Sequence, residues 1–199
     1  MIKAIITDFD GTLVDTFEAN LKAYQEAFVS VGLSLTSDDY KKCYGFRFDR
    51  FMQAMNITDI QTIEQIKELK KEFYPKYFNH LKLNRSLIDL ISTFHKLGGK
   101  TAIASTARKE NLMNVVNHLN IVEHFDLIYT GADVKQGKPS PEIYIKTIDA
   151  LGLTPNETLI FEDSQVGIEA AINSGVKFQS LGILTVFLNL FCSLLFLLY

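Results

Sequence analysis

Between residues 86 and 178 the hydrophobic pattern keeps switching between helical and strand-like runs, and this alternation limits the fold more than any other feature. Residues 86–97 read as a helix that Gly98-Gly99 ends. "KTAIAS" reads as a strand ending at Ser105, residues 108–119 as a helix and "FDLIYT" as a strand. "PEIYIKTIDALG" is a helix with Pro141 in its first turn. "ETLIFED" is a strand to Asp163, "QVGIEAAINSG" a helix ending at Gly175, and "VKF" opens another strand. Strands alternating with helices predict an α/β fold: a Rossmann-like parallel sheet with right-handed crossovers and helices on both faces.

The first 85 residues break this rhythm. Residues 2–8 read as a strand. From Asp15 to about Leu83 the pattern is helical. Leu21, Tyr24, Phe28 and Val31 recur at three and four before Gly32, and Ser37, Asp38 and Asp39 mark a second helix start. "FDRFMQAM" continues in helix. Ile63, Ile66, Leu69 and Phe73 form another stripe, with Pro75 as its kink or end. These stripes predict an inserted helical unit with its own small core. The expected division is residues 1–15 and 84–180 for the α/β core and 16–83 for the insert.

Composition narrows the class. The chain has 199 residues, 47% hydrophobic and 22% charged, which suits a folded core. A net charge of −3, without a basic run, gives no footprint for nucleic acid. Cys43 and Cys192 stand far apart in different surroundings and read as thiols of a reducing, cytoplasmic compartment. His80, His95, His118 and His124 show no metal-ligand spacing. Apart from Lys3 the chain runs straight into a strand, so no secretory leader is expected.

The chemistry is concentrated at strand ends, where open α/β sheets bind ligands. The first strand ends in Asp8-Phe9-Asp10-Gly11-Thr12. Two carboxylates so close to a buried strand cost several kcal/mol unless something compensates them. Later strands end in Ser105-Thr106 and in Glu162-Asp163-Ser164, and a loop carries Gly137-Lys138-Pro139. Each cluster has a plain structural reading. The aspartates suit a turn, Ser105 a helix cap, Lys138 a solvated loop, and Glu162-Asp163 a helix N-terminus. Taken together, in this order, they favour a phosphate site. Asp8, Asp163 and Glu162 offer hard oxygen ligands for Mg²⁺. Lys138 and the metal balance the carboxylates and an incoming phosphate. The Ser105 hydroxyl and nearby backbone N–H groups suit the remaining phosphate oxygens. One aspartate suits a nucleophile and the other a general acid and base.

These motifs resemble the haloacid dehalogenase-like hydrolase superfamily, in its phosphoglycolate phosphatase and β-phosphoglucomutase branch. "DFDGTLVDT" resembles its first motif, "IAST" the second, "GKPSPE" the third and "FEDS" the fourth, over about residues 1–178. The resemblance implies Asp8 as nucleophile and Mg²⁺ ligand. It implies Asp10 as acid and base, with its backbone carbonyl on the metal. Ser105, with Thr106 beside it, and Lys138 would bind the phosphoryl group. Asp163 would ligate Mg²⁺, with Glu162 beside or behind it. The helical insert would be a cap that closes over a small phosphorylated metabolite. By the same resemblance, the carboxylate at Asp10 and the metal-binding acids separate the phosphate-handling members from the dehalogenases.

Within the branch, mutases carry a histidine where this chain has Asn20. Asparagine relays no proton as histidine does, so a phosphatase is favoured over a phosphosugar mutase. In the insert, Thr16, Asn20, Gly45, Arg47 and Arg50 are candidate substrate-reading residues, although a cap or a solvated helix face also accounts for several of them. A non-catalytic receiver-type phospho-switch is disfavoured by the long helical insert after the first strand. The substrate and the oligomeric state stay open. "LGILTVFLNLFCSLLFLLY", residues 181–199, is uncharged. It is open to three readings: a membrane anchor, a segment packed on the core, or a non-native end.

Overall fold

The computed structural model describes residues 1–180, so the apolar run 181–199 and its three readings lie outside the described residues. Five strands form a parallel sheet: β1 (Ala4–Thr7), β4 (Lys100–Ala104), β5 (Leu127–Tyr129), β6 (Thr158–Glu162) and β7 (Lys177–Ser180). Their order is β5-β4-β1-β6-β7. β1 pairs in register with β4 on one side, Ile6 opposite Ala102, and with β6 on the other, Ile6 opposite Ile160. The chain therefore moves outward through β4 and β5, then crosses back to β6. The reversal places the C-terminal ends of β1, β4 and β6 side by side, the arrangement that opens a ligand crevice in such sheets.

Alternation along β1 explains why both faces of the sheet are covered. Ile5 packs with Ile103, Leu87, Ile91 and Val115, beneath α5 (Arg85–Lys96) and α6 (Lys109–His118). Ile6 packs on the opposite face with Ala102, Ile160, Ile143 and Ala171, beneath α7 (Glu142–Leu151) and α8 (Gln165–Asn173). Adjacent side chains of a strand point to opposite faces, so a run of buried residues requires two layers of helices. Burying each isoleucine contributes about 1.5–3 kcal/mol.

The insert is helical: α1 (Phe17–Ser30), α2 (Ser37–Cys43), α3 (Phe48–Ala54) and α4 (Ile60–Phe73), followed by a 3₁₀ stretch, Tyr74–His80, that carries Pro75. Leu21, Tyr24, Phe28, Tyr40, Phe51 and Ile66 form its separate core. Thr36 and Asp59 cap α2 and α4 by accepting the backbone N–H groups of Asp39 and Thr62. Among the described residues no helix is long and apolar enough to cross a membrane. Cys43 is buried at the end of α2.

Two differences from the sequence reading have simple causes. The helical span expected from residue 15 to 83 is bracketed by two short strands, β2 (Val14–Asp15) and β3 (Lys82–Leu83). They pair antiparallel, Val14 with Leu83 and Asp15 with Lys82. Two-residue strands are too short to show a period. The expected first strand, 2–8, is shorter at both ends, because the backbone turns at Asp8 into the Phe9–Val14 loop. There Leu13 and Val14 both donate to the Phe9 carbonyl, and Gly11 takes φ +96°.

Candidate active site

Asp8 leaves the end of β1, and its N–H still donates to the Phe161 carbonyl at 2.9 Å. Phe9 turns into the core and is buried. Asp8 and Asp10 line one cleft of about 800 Å³, open solvent at its mouth included. Ser105, Thr106 and Lys138 line it from the sheet side. Asn20, Tyr44, Gly45 and Lys70 line it from the helical insert. Thus Asp8, Asp10, Ser105, Thr106 and Lys138, far apart in sequence, come together as expected.

Lys138 is the centre of the charge arrangement. Its ammonium is buried and donates to Asp8 Oδ1 at 2.6 Å and to Glu162 Oε1. Burial works against its charge, but the Asp8 and Glu162 carboxylates hold its proton well above the usual lysine range. Asp8 is pushed the other way: burial raises its carboxyl well above the usual range, despite the nearby Lys138. Asp8 Oδ2 has no hydrogen-bond partner among the described residues, so the carboxylate is held by one oxygen while the other is left for chemistry.

Glu162 is fully buried and saturated with donors. Oε1 accepts from Lys138 and from the Tyr144 hydroxyl at 3.0 Å. Oε2 accepts from the backbone N–H groups of Asp163 at 2.9 Å and Ser164 at 3.0 Å. Burial opposes its charge, yet Lys138 and these donors leave its carboxyl below the usual range. The first turn of α8 must then pass very close to this carboxylate. A Cβ at Gly167 would stand 1.8 Å from Glu162 Oε1. Gly167→Ala should therefore displace Glu162 and with it Lys138. The expected result is a lowered melting temperature and a large loss of activity; a variant matching wild type in both would contradict this account.

Asp163 is half-buried, and its Oδ1 accepts from the Thr12 hydroxyl at 2.6 Å. Oδ2 points toward Gly11, where a Cβ would meet it at 2.4 Å. Burial raises its carboxyl to about 6. Carboxylate oxygens of Asp8, Glu162 and Asp163 all lie within 4.8 Å of one another. One lysine faces this group of acids. The surplus of negative charge and the all-oxygen donor set fit a hard divalent cation such as Mg²⁺. Because Glu162 spends both oxygens on protein donors, Asp8 and Asp163 are the carboxylates free to hold it.

Asp10 is held from the insert. Its Oδ1 accepts from Thr16 Oγ1 and, at 3.4 Å, from the Asn20 amide. Burial raises its carboxyl; the Thr16 hydrogen bond and the charge of Lys70 work against that rise. Thr16 and Asn20, candidate substrate readers by sequence, both hydrogen-bond Asp10; Asn20 also lines the cleft. Gly45 does line the cleft, at φ +85°, and its carbonyl accepts from the Thr106 hydroxyl at 3.3 Å. Arg47 does not line the cleft: it donates to the carbonyls of Val134 and Lys135 at 3.4 and 3.2 Å, fastening the insert to the core. Arg50 is exposed and stacks on Phe46 at 4.0 Å.

The insert residue that brings a cation to the cleft is Lys70. It is 2% exposed, its ammonium lies 3.5 Å from the Tyr74 ring centroid, and burial lowers it to about 7. Ile66, Lys70 and Tyr74 recur at four on α4 and the turn after it, so Lys70 shares the buried face of the helix, although the stripe read from the sequence, Ile63, Ile66, Leu69 and Phe73, does not include it. Arg108 and Asn111 also line the cleft, and Asn111 Oδ1 is buried without a partner.

A parallel α/β sheet with a helical insert after its first strand, acids at the adjacent ends of β1 and β6, and a buried lysine brought to them by the loop before α7 are the features of the haloacid dehalogenase-like hydrolases. The chain belongs to that family, matching it over residues 5–180. Among its relatives, the phosphorylated carbohydrates phosphatase of Thermotoga maritima is 29% identical over 181 residues, covering 88% of this chain and 83% of that protein. The phosphoglycolate phosphatase of Aquifex aeolicus is 26% identical over 177 residues, covering 88% and 83%. CbbY from Rhodobacter sphaeroides, solved in complex with phosphate, superimposes with a TM-score of 0.81 at 27% identity, covering 89% of this chain and 85% of that one.

Proposed function

We propose that this hydrolase is a phosphatase of small phosphate monoesters that works through an aspartyl-phosphate on Asp8. The observation that carries the reading is the asymmetry of Asp8. Oδ1 is tied to Lys138, and Oδ2 is left without a partner in a cleft that also holds Ser105 and Asp10. In this reading residues 1–15 and 84–180 are the catalytic core, residues 16–83 are a cap, and β2–β3 is the hinge between them. The relatives named as phosphatases of phosphorylated carbohydrates and of phosphoglycolate support a small phosphorylated metabolite as substrate. So does the complex of a CbbY variant with xylulose-(1,5)bisphosphate, 26% identical with a TM-score of 0.80.

The steps follow from the chain's own groups. Lys138 and the Ser105 hydroxyl hold phosphoryl oxygens, and Oδ2 of Asp8 attacks phosphorus. The bond to the leaving oxygen breaks, and Asp10 gives that oxygen its proton. A water then attacks the phosphoryl group, Asp10 takes back a proton, and Asp8 is regenerated with release of phosphate. Asp8 and Asp163, with the Asp10 backbone carbonyl that the family resemblance adds, would hold Mg²⁺, which when bound would supply charge neutralisation for the phosphoryl oxygens. The cap keeps water out during the first transfer. Asn20 gives Asp10 an amide donor rather than a proton relay, which favours hydrolysis over phosphosugar isomerisation. The test is phosphate release from a panel of monoesters, including phosphoglycolate and sugar phosphates, with Mg²⁺ and with chelator. Release that ignores the chelator would sink the metal assignment.

A stability measurement addresses the metal separately. Asp163 has a folded-state value of about 6, above its ordinary 3.8. Its charge therefore works against folding above pH 6 in the metal-free protein, and that penalty fades as pH falls through 6. A bound cation reverses the sign, since it needs the ionised carboxylate. Mg²⁺ should raise the melting temperature clearly at pH 7.5 and hardly at pH 5. An equal rise at both pH values would argue against a site built on Asp163.

A further inference from the structure

We propose that Tyr44 is a positioning residue: from the cap its hydroxyl holds Thr16, and through Thr16 it fixes which oxygen of Asp10 meets the leaving group. The inference rests on the phosphatase reading above. Thr16 Oγ1 lies 3.1 Å from the Tyr44 hydroxyl and hydrogen-bonds Asp10 Oδ1. A threonine hydroxyl has one proton. With that proton given to the Asp10 carboxylate, Tyr44 is the donor to Thr16. The Asn20 amide adds a longer bond to the same Asp10 oxygen. Every partner of the carboxyl is thus on Oδ1. Oδ2 has none among the described residues, which makes it the oxygen that carries the proton to the substrate.

The surroundings suit a clamp and not a chance contact. Thr16 is fully buried, so bulk water does not replace a lost Tyr44 donor. The Tyr44 ring is fixed by edge contacts with Phe17 and Tyr40, at centroid distances of 5.2 and 6.0 Å. Its neighbour Gly45 accepts from Thr106 in the phosphate loop, and Arg47 binds the carbonyls of Val134 and Lys135 just before the Lys138 loop. One short cap turn therefore seats on the core at Thr106 and at the Val134 and Lys135 carbonyls, and seating it orients the acid. Sequence gives no sign of this, because Tyr44 falls among the aromatic residues of a helix end.

The experiment uses the full 199-residue chain with Tyr44→Phe, which keeps the ring and removes the hydroxyl. A general acid matters most for a poor leaving group. kcat/KM is measured for an alkyl phosphate monoester and for para-nitrophenyl phosphate, whose leaving group departs without a proton. The expected loss is about tenfold on the alkyl ester and about twofold or less on the aryl ester, a small part of a general acid's contribution. Thr16→Ser should keep the wild-type ratio of the two rates, and Thr16→Val should lower it as Tyr44→Phe does. Equal losses on both esters would show that Tyr44 only packs the cap, and no loss on either would show that Thr16 acts alone; both overturn the proposal. A wild type that hydrolyses neither ester would instead bring down the phosphatase reading itself.

Discussion

Asp8→Asn should abolish phosphate release from every substrate that the wild type accepts, by about 10⁴-fold or more, since the proposed reaction passes through a covalent bond to the Asp8 carboxylate that an amide does not form. The amide is close in size to the carboxylate, so the fold should persist. Lys138 keeps Glu162 as its counter-charge when the Asp8 charge is removed, so stability should change far less than activity does. Steady-state phosphate release and thermal melting, measured on the same samples, separate the two effects. Substantial residual turnover in a folded Asp8→Asn variant would move the nucleophile elsewhere. A folded wild type with no activity on any monoester would argue for a binding protein built on a hydrolase fold.

Lys138→Met has the second large effect, and it falls on stability as well as on rate. Methionine keeps much of the volume but leaves Asp8 and Glu162 buried without their counter-charge. Removing one partner of a buried ion pair costs about 3–5 kcal/mol. The pH dependence gives the sign. In the wild type, Glu162 lies below its ordinary value of 4.5. Its stabilising contribution is therefore present above that pH and is lost as pH falls through its lower, folded-state value. Without Lys138 both carboxyls are raised, so their penalty is full at pH 7 and shrinks on acidification. Denaturant melts of the two proteins should lie far apart at pH 7 and converge below pH 5. A constant gap across that range would mean that lost packing, not uncompensated charge, accounts for the difference.

The sheet was legible because its strands are flanked by helices with clear stops, such as Gly98-Gly99 and Gly175. The buried alternation of Ile5 and Ile6 needs a layer on each face. The core of the site was legible because Asp8, Ser105, Lys138 and Asp163 each sit at the end of a strand or in a loop beside one. What stayed hidden depends on how the insert docks. Lys70 looks like one more solvated lysine in "KELKKEF" until α4 is seen to turn it inward. Arg47 is a basic residue near the cleft by sequence, yet its guanidinium is spent on backbone carbonyls. Glu162 and Asp163 are indistinguishable as adjacent acids. Only the donors around Glu162 show that it holds the lysine, while Asp163 accepts from a single side chain, the Thr12 hydroxyl.

The pairing of β2 with β3 bears on how such a protein can change. Val14 and Leu83 face each other across one rung of a ladder, and Asn84 N–H donates to the Leu13 carbonyl at 2.9 Å. The chain leaves the sheet and returns to it at the same point, so the core experiences the whole insert as a hairpin. Closing a longer loop at such a point costs only about 0.6 kcal/mol for each doubling of its length. A segment tied off in this way can vary in length at little entropic cost, provided that Ala19, Ala23 and Tyr74 keep their places in the core beside Ile5 and Ile103. Selection for a new leaving group and selection for a working nucleophile can then act on separate stretches of one polypeptide.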